Sequence, residues 1–220
     1  MVYRTATPED RNELLRLWRE AFSEDGEWFF RSIDAQGWCA DDGEGLRAMA
    51  FALPQTLVTA KGAYPVAYIY AVTTQREFRG RGVATALFQT MENALRDQGV
   101  WGAILVPATP GLFRLYEKMG YRIWASRPAG AAETLGQPCP AETYLALRQA
   151  YLPLPAVQPD ETVLWQYRLY RFDGGVYATD AAGRVVERLP ASGQTGGPFA
   201  AAKALREGFP GHGYFAFAME

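Results

Sequence analysis

The sequence predicts an α/β fold built on a mixed sheet, and three observations carry that reading. Val66–Thr74 is apolar almost throughout, as a strand covered on both faces would be. A glycine-rich loop, Arg79-Gly80-Arg81-Gly82, follows it and leads into a helix with one apolar face. A second buried strand, Val100–Val106, comes directly after that helix. Strand, loop, helix and strand in this order form the repeating unit of α/β sheets.

The elements follow along the chain. Thr7-Pro8-Glu9-Asp10 opens a first helix, with a capping threonine, a proline suited to the first turn and two acids at its positive end. Leu14, Leu15, Trp18 and Phe22 continue it at helical spacing, and a short second helix holds Trp28, Phe29 and Ile33. Trp38–Ala40 and Leu46–Val58 read as strands joined by the turn Asp41-Asp42-Gly43-Glu44-Gly45. Val83–Gln98 is a helix whose apolar face includes Ala84, Leu87, Phe88 and Met91, and Gly99 ends it as a C′ glycine would. Thr109-Pro110 opens a further helix that ends at Gly120, and Tyr121–Ala125 is a strand. Ser126–Pro140, rich in Ala, Gly and Pro, reads as a connection. Beyond it the pattern gives a helix at Glu142–Tyr151, strands at Val163–Phe172, Val176–Ala178 and Arg184–Leu189, a helix at Pro198–Glu207 and a last strand at Tyr214–Ala218.

Composition bounds the chemistry. The chain has 220 residues, 49% apolar and 21% charged, with a net charge of −2. That is ordinary for a folded chain and argues against nucleic acid or an anionic membrane as partner. No apolar run reaches the length of a membrane span and the N-terminal stretch is charged, so a cytoplasmic location is expected. Two cysteines, Cys39 and Cys139, and a single histidine, His212, cannot supply the usual zinc sites, so no metal is expected. A Ser-His-Asp triad would need His212, which lies in a Gly-rich stretch with no G-x-S-x-G motif to accompany it.

The glycine loop carries the most information. Glycines there admit close approach of a ligand, free N–H groups at a helix start favour an anion, and Arg79 and Arg81 add positive charge. A phosphate-bearing cofactor suits such a loop. A Walker loop needs Gly-Lys-Ser/Thr, which is absent, and a dinucleotide G-x-G-x-x-G starting at Gly80 fails at Thr85. The pattern [Q/R]-x-x-G-x-[G/A] is met by Arg79, Gly82 and Ala84. About thirty residues later stands Leu112-Phe113-Arg114-Leu115-Tyr116-Glu117-Lys118-Met119-Gly120-Tyr121, close to a block of the form LYEKxGF/Y. With these two blocks and the helix–helix–strands order before them, about Thr5–Trp124 resembles the GCN5-related N-acetyltransferase (GNAT) superfamily.

The resemblance implies a GNAT acyl-CoA N-acyltransferase fold over residues 1–128, followed at 141–220 by a C-terminal α+β extension. It implies acetyl-CoA as co-substrate and transfer of its acetyl group to a primary amine by direct attack in a ternary complex. Val72, Thr73 and Thr74 would end the strand that pairs with the pantetheine arm, because an open strand edge can bond its two amides. The amides of Gly80, Arg81, Gly82, Val83, Ala84 and Thr85 would cradle the pyrophosphate, with Arg79 beside them as a further cofactor-binding residue. Tyr116 stands where many members have the general acid toward the leaving thiolate, and a phenol is protonated at neutral pH. Three positions depart from the family pattern: Thr109 replaces an asparagine, leaving a capping role, Leu112 replaces an alanine, and Arg76 stands where many relatives have proline.

The resemblance implies a small-molecule or peptide amine as acceptor and leaves its identity open, and the acidic balance favours a cationic one. Asp25, Glu27 and the terminal carboxylate of Glu220 are candidate bases, and none has a motif behind it. Trp28, Phe29, Phe30, Tyr68 and Tyr70 are candidates for a pocket or for the core. The extension lacks a second R-x-x-G-x-G/A. It is either a non-catalytic partial repeat that covers the acceptor side or forms a homodimer interface, or an extension that completes the sheet. The alternative function is a non-catalytic acetyl-CoA sensor or partner-binding module on the same fold.

Overall fold

A computed structural model describes residues 1–22, 25–33, 35–127, 154–158, 176–179, 185–189 and 197–215. The chain divides into two compact units. The first comprises Met1–Pro54, Pro65–Leu105 and Lys203–Phe209; the second comprises Gln55–Tyr64, Val106–Ala202 and Pro210–Glu220.

The strands β1 (Val2–Thr5), β2 (Gln36–Asp41), β3 (Leu46–Thr59), β4 (Gly62–Thr74) and β5 (Gly102–Leu105) follow one another across the sheet and belong to the first unit apart from residues 55–64. The pairs β1–β2 and β2–β3 are antiparallel, whereas β4–β5 is parallel. The parallel step needs a crossover, which α3 (Val83–Asp97) provides. Ahead of the sheet's second strand stand α1 (Arg11–Ala21) and α2 (Glu27–Ser32).

The first helix starts as its residues dictate. Pro8–Asp10 forms a 3-10 turn, and the Asp10 carboxylate accepts the Thr7 N–H at 2.8 Å, closing the first turn on itself. The same carboxylate takes both Arg4 guanidinium arms, at 2.6 and 2.9 Å, and the second arm also reaches Asp41. Arg4 therefore ties β1 to the turn that launches α1 and to the end of β2.

The core is aromatic where the helices meet the sheet. Trp18 of α1 lies within 6.3 Å of the rings of Phe22, Trp28, Phe29, Phe30 and Tyr70. Phe29 also packs on Phe51 of β3 and Tyr70 of β4. Burying one such ring contributes about 2–3 kcal/mol, and well-oriented ring pairs add to it.

A short late segment completes this unit. Lys203 Nζ donates to Glu92 Oε2 on α3 at 2.5 Å. The amides of Leu205 and Arg206 both donate to the Trp101 carbonyl, and Arg206 caps α3 by donating to the Arg96 carbonyl at 2.8 Å. The Phe209 ring lies where a side chain at position 102 would project, so Gly102 is fixed by this contact.

In the second unit, α4 (Phe113–Lys118) follows a 3-10 turn at Pro110–Leu112 and precedes β6 (Arg122–Arg127). The outer part of β3 pairs antiparallel with β7 (Ala156–Gln158), and β8 (Val176–Thr179) with β9 (Val185–Leu189). The strand β10 (Gly197–Ala204) runs antiparallel to β6, from Gly197 opposite Arg127 to Ala202 opposite Arg122.

One expectation is corrected here: Pro198–Glu207 was expected to be helical, and its first part is β10. Alanine, leucine, lysine and arginine favour helix only weakly, and the ladder to β6 overrides that preference. Phe199, Ala200, Ala201 and Ala202 are all buried, as a strand covered on both faces requires and a one-sided helix does not. The remaining departures are of extent. Val100–Val106 shortens to Gly102–Leu105, Val66–Thr74 lengthens to Gly62–Thr74, and Phe22 and Ile33 cap their helices instead of continuing them. The expected helix at 142–151, the strand at 163–172, most of the connection at 126–140 and most of the strand at 214–218 lie outside the described residues.

Candidate functional site

The first unit builds a concentrated site at the end of β4. The β4–β5 ladder pairs Ala67 with Ala103, Tyr68 with Ile104 and Ile69 with Leu105, and there it stops. β4 continues for Tyr70–Thr74 with no strand on that side among the described residues. Two residues beyond the last pair Ala71 has φ +48°, a conformation that costs a non-glycine residue energy. Val72, Thr73 and Thr74 thus end a strand with one edge that no strand covers among the described residues, the Thr74 carbonyl being taken by the Arg79 side chain.

The loop follows at once. Arg76–Phe78 forms a 3-10 turn, and the Arg79 side chain reaches back to donate to the Thr74 carbonyl at 2.8 Å. Gly80 and Gly82 have φ +73° and +80°, where an L side chain is strained. No atom lies within 4 Å of where a Cβ would stand at either position, so the loop faces open space. The first α3 hydrogen bond runs from Ala86 N to the Gly82 carbonyl. Among the described residues, none of the amides of Gly80, Arg81, Gly82, Val83, Ala84 and Thr85 donates to a protein oxygen. Six amides without a protein acceptor therefore lie along the loop and the positive end of a fifteen-residue helix.

Tyr116 lies on α4 in the second unit. It is 7% exposed, and burial pushes its phenol up to about 12. The side chain is consequently protonated throughout the neutral range. Its ring meets Tyr121 edge-on at 6.0 Å. Thr109 stands at the head of the preceding turn without a side-chain cap bond, since the Leu112 amide is taken by the Thr109 carbonyl instead.

The other candidates sort by their partners. Glu27 is held by Arg11 at 2.8 Å and Arg19 at 3.6 Å, and Asp25 accepts the Glu27 amide at 3.0 Å. Glu220 and Cys139 lie outside the described residues. His212 is exposed in the loop after Phe209. Cys39 is buried, and desolvation pushes its thiol up to about 11, so it is not a nucleophile at neutral pH. Phe29 and Tyr68 are core residues, while Trp28, Phe30 and Tyr70 are half-buried around Trp18.

A family model described as an acetyltransferase (GNAT) domain matches residues 2–124, more than half of the chain. The chain belongs to the GNAT acetyltransferases. Solved structures show the same fold for this GNAT chain. A GCN5-related N-acetyltransferase from Kribbella flavida has a TM-score of 0.61 at 16% identity, over 93% of this chain and 72% of that one. A conserved protein from Enterococcus faecalis V583 has a TM-score of 0.60 at 18% identity, over 84% of this chain and 53% of its own. Eis1 from Mycobacterium abscessus has a TM-score of 0.60 at 15% identity, over 82% and 51%. The match therefore spans about half the length of the last two proteins. No curated protein matches by sequence.

Two side chains that sequence reasoning did not single out, Arg47 and Phe78, adjoin the loop. Arg47 donates to Asp42 at 2.7 Å and to Gln75 at 3.2 Å, and its guanidinium lies over the Phe78 ring at 5.0 Å. The Arg81 guanidinium lies over the same ring at 5.6 Å. No short-range signal marks this contact, because Arg47 and Phe78 meet only when β3 folds beside β4.

Proposed function

We propose that the chain is an N-acetyltransferase that moves the acetyl group of acetyl-CoA to a primary amine by direct attack in a ternary complex. The observation that carries the reading is the set of six unengaged amides from Gly80 to Thr85, directly after a strand end with one open edge. A pyrophosphate suits the amides and the helix end. The pantetheine amides suit the open edge of Val72–Thr74 as a missing strand would. Acetyl-CoA would supply the activated thioester; the chain's residues bind and orient it.

Tyr116, protonated and buried, is proposed as the acid that gives its proton to the departing sulfur. The attacking amine must be neutral, and we assign no base: Glu27 is engaged by two arginines and Asp25 by a backbone amide. The half-buried rings Trp28, Phe30 and Tyr70 offer the acceptor an apolar surface close to the strand end, compatible with a small-molecule or peptide amine. Residues 1–128 would supply the acetyl-CoA-binding residues and 141–220 the extension, of which Lys203–Phe209 is needed to complete the first unit, in a cytoplasmic protein able to form a homodimer. That both acids near the first helices are already engaged favours, as the second reading, a sensor that binds acetyl-CoA without turnover.

Calorimetry with acetyl-CoA, followed by thiol release with a panel of amines, separates these. Binding with release supports the transferase, binding without release under any amine supports the sensor, and no binding removes both.

A further inference from the structure

Arg79 and Arg81 flank the same glycine, but the structure uses them differently. The Arg79 side chain is folded back onto Thr74 by its 2.8 Å bond. Arg81 makes no ion pair and donates no hydrogen bond among the described residues; its one recorded partner is the Phe78 ring, 5.6 Å from its guanidinium carbon. A guanidinium over a ring face keeps its N–H edge free, so Arg81 has an uncompensated charge and unused donors on an open loop.

Phe78 is itself held. Its ring receives the Arg47 guanidinium at 5.0 Å, and Arg47 is fixed by Asp42, by Glu44 at 3.8 Å and by Gln75. The Gln75 amide donates to the Arg47 carbonyl at 2.8 Å, and the Gln75 carbonyl accepts the Phe78 amide at 2.9 Å. Two acids lie near Arg47 and none pairs with Arg81, so of the two cations on this ring only Arg81 keeps its charge for another anion.

We propose that Phe78, held by Arg47, is a positioning residue that orients Arg81 as the side-chain cation for a phosphate of the acyl-CoA nucleotide. The inference rests on acetyl-CoA being the ligand. An arginine already ordered loses less freedom on pairing with a phosphate than one moving freely in solvent, which is the advantage of the ring.

The test is calorimetry with acetyl-CoA on the full chain for wild type, Phe78→Ala, Phe78→Tyr, Arg81→Gln and the Phe78→Ala/Arg81→Gln double variant. A charge-assisted phosphate contact corresponds to about tenfold in affinity. Arg81→Gln is expected to lose about tenfold, Phe78→Ala about fivefold, and the double variant no more than Arg81→Gln, while Phe78→Tyr retains wild-type affinity. Acetyl-pantetheine, which lacks the nucleotide phosphates, should be used equally by wild type and Phe78→Ala, whereas the variant's KM for acetyl-CoA rises at unchanged kcat. Losses that multiply in the double variant, or an acetyl-pantetheine defect as large as the acetyl-CoA defect, would overturn the inference. Arg81 is exposed, so wild-type affinity in Arg81→Gln overturns it whether or not Phe78→Ala folds. Absence of binding by the wild type removes the acetyl-CoA reading itself, and this inference with it.

Discussion

Lys203 and Glu92 meet at 2.5 Å although 110 residues of sequence separate them, and the Glu92 carboxylate that Lys203 neutralises is only 3% exposed. Its second oxygen, Oε1, is buried without a partner among the described residues. The pair is therefore asymmetric: losing the lysine strands a buried charge, while losing both charges does not. Lys203→Met is expected to destabilise the protein by about 3 kcal/mol, and the Lys203→Met/Glu92→Met double variant by much less. Urea unfolding measures both; equal losses in the two would show that the ion pair is not the cause.

The segment containing Lys203 makes a second prediction. Lys203–Phe209 supplies the donors for the Trp101 and Arg96 carbonyls and the ring over Gly102. A fragment ending near residue 130 should therefore not form a stable acetyl-CoA-binding domain. Circular dichroism and gel filtration of that fragment check this, and a cooperative melt with intact acetyl-CoA affinity would contradict it.

Gly82 tests the loop. Its φ of +80° strains any L residue, but no protein atom opposes a Cβ there. Gly82→Ala should cost only about 1 kcal/mol in folding. It should nonetheless weaken acetyl-CoA binding well beyond that, because the methyl group enters the space the phosphates need. Stability and affinity falling in proportion would mean the loop is structural.

Tyr116→Phe should lower kcat by far more than it weakens acetyl-CoA binding. The pH dependence has a definite sign. The folded phenol titrates at about 12 against an ordinary value of 10.0, so the native state holds more protons than the unfolded one between those values. The stability linked to Tyr116 is present below pH 10 and lost as pH rises toward 12. Tyr116→Phe should therefore flatten the decline in melting temperature across that window, and an unchanged decline would refute the assignment.

Asp10 acts at the opposite end of the scale. The Arg4 side chain, then the Thr7 amide, hold its carboxyl down to about 2 from 3.8. Its contribution is present above pH 4 and lost as pH falls through 2, so Asp10→Asn should be most costly at neutral pH and neutral near pH 2. An acid melting series on the two proteins reads this directly.

The strand–loop–helix order was legible because it is written in local residue types: a glycine where φ is positive, an apolar face at helical spacing, Gly99 where α3 ends. The positive φ of Ala71 was not, since alanine in that conformation carries no signal in composition. Pro198–Glu207 misled because its alanines favour helix, while the ladder to β6 that makes them a strand comes from residues about seventy positions away. Arg81 is legible as a loop cation, but the stacking of Arg47 on Phe78 is not, for the same reason of distance. Glu27 reads as a free acid in sequence and is an ion-paired one in the fold, because Arg11 and Arg19 reach it from a different helix.

The seven residues that close the first unit bear on how the protein is made. Leu105 leaves the ribosome about a hundred residues before Phe209, a delay on the order of 5–20 s at ordinary translation rates. Throughout that interval Gly102 lacks its covering ring, Glu92 its lysine and Arg96 its capping donor. The nascent chain must keep an unfinished domain soluble until Phe209 has emerged, so its yield in cells should respond to chaperone supply and to translation speed more than the stability of the folded protein would suggest.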